Sequence, residues 1–163
     1  MRAAVTLMGL DLIPDPALAF AQKVVCDLGC GDGEFLIGLL NHVNRITNTT
    51  IDTTINGYGV DYDDKLIRTA GVNAITEGQQ ARWLTYDFNL DEDNLFGTLE
   101  KAGITHVFVY LVPKQLALKT VRTLLTKLCE SGVTICCHKF QPTYLAVTRR
   151  DVLMDLVVYA HAS

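Results

Sequence analysis

The sequence predicts a single α/β domain, a three-layer sandwich in which helices flank a mainly parallel seven-stranded sheet with an antiparallel last strand. Three observations point there. Short runs of β-branched and apolar residues alternate with amphipathic stretches along most of the chain. The first clear run ends in an acid, passes through a glycine-rich turn and enters a helical pattern (24–34, VVCDLGCGDGE), as a βαβ unit begins. The length, 163 residues, fits one domain, and such a chain buries roughly 70% of its unfolded surface on folding.

The elements follow in order. Residues 15–22 read as a short leading helix opened by Asp15-Pro16. Residues 23–28 form the first strand. Residues 34–44 form a helix with Phe35, Leu36, Leu39, Leu40 and Val43 on one face. Residues 45–56 are polar and Thr-rich, a long loop or small hairpin inserted before the second strand, 57–61. A helix over 64–77 should bury Leu66, Ile67, Ala70 and Ala74. Then come a strand at 81–86, a short acidic helix at 91–102 and the most apolar strand, 106–112. The longest helix, 114–130, turns Leu116, Val121, Leu124, Leu125 and Leu128 inward. Residues 132–138 make the fifth strand. Runs 144–148 and 153–160 make two more, antiparallel because 149–152 leaves room only for a tight connection. Residues 1–14 read as a flexible or truncated leading segment. Asp11 and Pro14 argue against a secretory leader; a mitochondrial presequence, supported only by Arg2, stays open.

Composition narrows the function. Hydrophobic residues make up 49% and charged residues 20%, which excludes a mainly disordered chain. The net charge of -4 gives no broad basic face for nucleic acid. Lys114, Lys119, Arg122 and Lys127 share one segment and read as the solvated side of an amphipathic helix. Cys26, Cys30, Cys129, Cys136 and Cys137 include no CxxC pair and no zinc spacing, so free thiols and no metal site are expected. No apolar run is long enough to span a bilayer. The expected location is intracellular, cytoplasmic or mitochondrial.

The chemistry concentrates at the ends of the strands. Gly29 and Gly31 match the start of the dinucleotide pattern G-x-G-x-x-G, but Glu34 stands at its third position. A carboxylate there would repel a pyrophosphate, and Asp27 would have no role. In GYGVDYD (57–63), Asp61 ends the second strand, where doubly wound sheets present an acid to ribose hydroxyls. The insert at 45–56 accounts for its late position. WLTYDFN (83–89) puts Asp87 and Phe88 after the third strand, with Asn89 and Asp91 competing to cap the next helix. YLVPKQ (110–115) puts Tyr110 and Pro113 after the fourth.

DLGCGDG, with Asp61 and Asp87 behind it, resembles the first motifs of class I, seven-β-strand, S-adenosylmethionine-dependent methyltransferases. The resemblance implies a Rossmann-like fold and S-adenosyl-L-methionine as cofactor, with S-adenosyl-L-homocysteine as product. It places Asp27 by the methionine moiety and Gly29, Cys30 and Gly31 in the turn that holds it. It assigns Asp61 to the ribose, Tyr62 to the flank of the adenine, Asp87 to the adenine amino group and Phe88 to an apolar edge of the ring. Tyr110 and Pro113 fall where the family presents its acceptor. Asn-Pro-Pro-Tyr is missing there, which disfavours a planar amide acceptor. YLVPKQ followed by GVTICCHKF is loosely similar to the short mitochondrial-type protein-lysine methyltransferases, implying a protein substrate. His138, Thr143, Tyr144 and Arg149 are further candidates for substrate contact. From the residues alone, Tyr110 and Pro113 are equally a strand end and a helix start. An RNA or small-molecule acceptor, or a catalytically silent binding protein, are the competing readings.

Overall fold

A computed structural model describes residues 1–10, 23–47, 55–90 and 94–160. Along the chain run α1 (Arg2–Met8), β1 (Val24–Leu28), α2 (Glu34–Thr47), β2 (Asn56–Asp61), α3 (Asp64–Thr76), β3 (Ala81–Thr85) and α4 (Leu95–Lys101). There follow β4 (His106–Val109), α5 (Pro113–Leu116), α6 (Lys119–Glu130), β5 (Thr134–His138), β6 (Arg149–Asp151) and β7 (Leu156–Tyr159). The sheet order is β3-β2-β1-β4-β5-β7-β6. The first five strands pair in parallel. β7 is antiparallel to both β5 and β6, so it alone runs against the rest. The chain winds outward from β1 to β3, then returns to place β4 on the other side of β1. That reversal opens a crevice at the C-terminal strand ends, the usual ligand position in such sheets.

Strand alternation divides the core into two layers. On one face Val25, Phe108, Cys136 and Val158 meet Leu36, Leu39, Leu40 and Val43 of α2. On the other, Cys26, Leu28, Val60, Val107 and Ile135 meet Leu99 of α4 and Leu124, Leu125 and Leu128 of α6. Each large side chain buried this way contributes roughly 1.5–3 kcal/mol. The same alternation turns Asp27 and Asp61 toward the α2 side.

Several expected elements fall elsewhere. The strand expected at 144–148 is turn and irregular chain, and β6 occupies Arg149–Asp151 instead. The Tyr144 hydroxyl donates to the Leu116 carbonyl at 3.1 Å, which draws the start of that segment over α5. The segment reaches β7 at its last residue, where the Thr148 N–H donates to the Val158 carbonyl at 2.9 Å. The helix expected over 114–130 is two helices. Leu118 between them is extended (φ -61, ψ 138) and packs into the core. β4 stops at Val109, three residues early. Leu66 is 38% exposed, although Ile67, Ala70 and Ala74 are buried as expected. Helix α4 starts late because Asn94 caps it, its Oδ1 accepting from the Gly97 N–H at 2.9 Å. The leading helix expected at 15–22 and the competing cap Asp91 lie outside the described residues, as does most of the 45–56 insert, whose first three residues extend α2.

Helix α1 was not expected from the sequence. Ala4, Val5, Met8 and Leu10 are buried against the α2 layer. Lys23 Nζ donates to the Gly9 carbonyl at 3.0 Å, tying the helix end to the start of β1.

Candidate functional site

The turn after β1 is shaped by its neighbours. The Gly29 and Cys30 N–H groups both donate to the Val60 carbonyl, at 2.9 and 3.1 Å. Gly29 has φ +83, and a Cβ there would sit 2.9 Å from Leu111 Cδ2; only glycine suits both constraints. Gly31, at φ +55, is different: its missing Cβ faces open space. Its N–H donates to Asp61 Oδ2 at 2.9 Å, while Asp61 Oδ1 accepts from the Asp63 N–H at 3.0 Å. Asp61 thereby ties the glycine turn to the β2–α3 turn. Asp63 in turn caps α3, accepting from the Lys65 and Leu66 N–H groups. Just past the turn α2 begins, its N-terminal amides facing the same hollow end of the sheet.

Asp27 and Asp61 are the buried charged residues among those described, at 2% and 6% exposure. No hydrogen bond reaches the Asp27 carboxyl among the described residues. Burial, and secondarily the Asp61 carboxylate, pushes its pKa up to about 7. A buried acid with no donor beside it is costly. It is suited to receive a cation or a hydrogen-bond donor from a ligand. Cys30 adjoins both acids and is buried, which pushes its thiol well up and leaves it protonated. That excludes it as a nucleophile at neutral pH.

Two further predicted residues stand at the neighbouring strand ends. Tyr62 is 64% exposed beyond Asp61. Asp87 follows β3, whose end is tied to β2 by the Tyr86 N–H donating to the Asp61 carbonyl at 2.8 Å. Asp87 Oδ1 accepts from both the N–H and Nδ2 of Asn89, at 2.9 and 2.7 Å, so both bonds fall on one oxygen. Phe88 is placed apart from the others. It is buried in the α4–α6 layer with Leu95 and Leu124, and its carbonyl accepts from the Thr120 hydroxyl.

On the far side of β1 lies the region of the predicted acceptor residues. Tyr110 is 48% exposed at the end of β4 and stacks on His138 at 5.3 Å between ring centroids. The register explains the pair: Val109 lies beside Cys137, so the next residues meet. Phe140 extends the stack, 6.4 Å from Tyr110. Deeper in the sheet, Phe108 stacks on Phe35 of α2 at 3.8 Å and lies beside Asp27 in the adjacent strand. A row of rings therefore runs from the buried acids to the molecular surface. Phe35 was expected only as core, and Phe108 and Phe140 were not singled out; period-two alternation from Tyr110 would have found Phe108. Pro113 is the exposed first residue of α5, with the Val112 N–H donating to Gln115 Oε1. Thr143 and Tyr144 lie beyond it, across a groove. Arg149 is exposed on β6, away from the ring row.

No protein-family profile matches the sequence, and no curated protein does. Solved structures do match. A methyltransferase dependent on S-adenosylmethionine from Aquifex aeolicus superposes with a TM-score of 0.56 at 12% identity, covering 96% of this chain and 97% of its own. A Listeria monocytogenes protein assigned as a class I methyltransferase of the same dependence gives 0.52 at 18% identity, covering 83% and 44%. A protein from the conversion of a disulfide bond into a thioacetal group during echinomycin biosynthesis gives 0.52 at 20% identity, covering 83% and 47%. The chain thus spans about half the length of the last two and nearly all of the first. What the likeness establishes is a shared Rossmann-like methyltransferase fold.

Proposed function

We propose that this chain binds S-adenosyl-L-methionine and transfers its methyl group to a lysine of a protein. One observation carries the cofactor half: two buried carboxylates flank a glycine turn at the crevice, and one of them, Asp27, has no hydrogen-bond donor among the described residues. The residues present fit the group. Asp27 would take the amino group of the methionine moiety, where a cation relieves the cost of ionising a buried acid. Gly31, with open space where a side chain would stand, admits that moiety close to the backbone. Asp61 keeps lone pairs for ribose hydroxyls beyond its two backbone bonds. Tyr62 and Asp87 would flank the adenine. Phe88, buried in the other layer, has no role in this scheme.

When bound, the cofactor would supply an electrophilic methyl on a sulfonium, open to in-line attack at carbon by an acceptor lone pair with the neutral thioether as leaving group. The protein's task is placement and exclusion of water. A lysine acceptor attacks only when neutral, and a site walled by Tyr110, His138 and Phe140 lowers its pKa by desolvation. The Tyr110 hydroxyl accepts a hydrogen bond from the amine and helps aim its lone pair. Tyr110 is 48% exposed, which leaves its ring open to an incoming side chain.

The test is ligand-dependent stability. S-adenosylhomocysteine raises the unfolding midpoint, since a ligand of the native state must do so, and NAD does not. Asp61→Ala weakens S-adenosylhomocysteine more than about tenfold, as loss of a charge-assisted contact predicts. Labelled methyl incubated with a cell extract then appears in methyl-lysine by mass spectrometry. Label found only in RNA would overturn the lysine acceptor; no shift with S-adenosylhomocysteine would overturn cofactor binding and favour a silent binding protein.

A further inference from the structure

We propose that the groove between α5–α6 and the chain after β5 holds an acidic segment of the substrate polypeptide, next to the lysine being methylated. The inference rests on the lysine-methyltransferase reading and adds what selects the substrate. The groove has a volume of about 480 Å³. Pro113, Leu116, Phe140 and Pro142 make its apolar walls, and Arg122 and Lys139 supply its charge. No carboxylate lines it, in a chain whose net charge is -4. Neither cation has an acidic partner among the described residues. Both are held by rings instead: Arg122 lies over Tyr144 at 5.2 Å, and Lys139 Nζ lies 5.6 Å from the centre of Phe140.

The groove is continuous with the acceptor region. Phe140 is both a groove wall and the outer member of the stack on Tyr110. A lysine placed against Tyr110 would lay its neighbouring residues along these walls. The site is also preorganised. The Tyr144 hydroxyl is anchored on the Leu116 carbonyl. Lys139 has φ 66, and its N–H donates to the Asp155 carbonyl at 2.9 Å, which fixes the turn carrying Phe140. Apolar walls with two unpaired cations complement a peptide bearing carboxylates among apolar side chains. They disfavour a basic segment, which would meet like charge.

The experiment uses the full chain and two fluorescent peptides with a central lysine, one flanked by Glu and Leu, the other by Lys and Leu. Binding is followed by anisotropy with and without S-adenosylhomocysteine. The acidic peptide binds at least about tenfold more tightly at low salt, and its advantage shrinks as salt rises. Arg122→Glu with Lys139→Glu reverses the preference, while S-adenosylhomocysteine affinity, measured by calorimetry, stays at the wild-type value. Equal binding of the two peptides, or a preference untouched by the double variant, overturns the proposal. Displacement of the acidic peptide by free glutamate at equal concentration also overturns it, because the groove would then be a small-anion site. Failure of S-adenosylhomocysteine to bind is read separately and counts against the cofactor, not the groove.

Discussion

At Asp27 two effects compete. Burial and the nearby Asp61 carboxylate favour the protonated form and bring the pKa up to about 7. A bound ammonium favours the ionised form and pulls it back down. Cofactor binding should therefore expel a proton from this residue. Near pH 7 about half the molecules carry it, and near pH 6 about nine in ten. Titration of S-adenosylhomocysteine in two buffers of different ionisation enthalpy should show a net release that grows from pH 7 to pH 6. Asp27→Asn should abolish the release and weaken binding. Release that persists in the variant would move the proton to another group.

Among the elements, α1 shows how far the sequence could be read. The strand–turn–helix from Val24 onward was legible because apolar run, glycines and helical period coincide there. The acids at the ends of β1, β2 and β3 followed, since parallel strands place their C-termini together. Helix α1 was illegible: Arg2–Met8 has no capping side chain, and residues 1–14 read as a flexible or truncated segment. Only tertiary packing makes it a helix, through Ala4, Val5, Met8 and Leu10. β6 was misplaced for a related reason. It is three charged residues at a sheet edge, held by pairing with β7 and not by strand propensity. Phe88 had strand-end spacing that says nothing about which layer the loop after β3 turns toward. The packing argument for α1 is testable. Leu10 is 1% exposed, so Leu10→Ala should cost about 2–5 kcal/mol in urea unfolding. Arg2→Ala, at an exposed position, should stay within about 0.5 kcal/mol of wild type. S-adenosylhomocysteine affinity should not change in either variant under native conditions. If the two substitutions cost the same, α1 is not docked as described.

For the whole molecule, a half-buried histidine and a buried acid set opposing pH dependences from opposite ends of the sheet. His106, at the start of β4, is held down to about 4 by burial, with Lys23 adding to it. The ordinary value of a histidine is 6.5, so between those pH values the unfolded chain binds more protons and stability rises with pH. Asp27 does the reverse. Its pKa rises from 3.8 to about 7 on folding, so the folded chain binds more protons in that window and stability falls as pH rises. From about pH 4 to 6.5 the slopes oppose, each limited to roughly 1.4 kcal/mol per pH unit, and the ligand-free protein should show a flat profile there. Asp27→Asn removes the falling arm, so its stability should climb with pH across that window. His106→Gln removes the rising arm, and its stability should decline. Urea midpoints measured at half-unit steps of pH read both slopes. If the two variants and the wild type gave parallel profiles, neither group would be carrying the pH dependence. In the proposed binding mode, a cofactor ammonium beside Asp27 would ionise it in the folded state and remove its falling arm. The liganded wild type should then follow the rising profile of ligand-free Asp27→Asn, which connects the crevice to the stability of the entire fold.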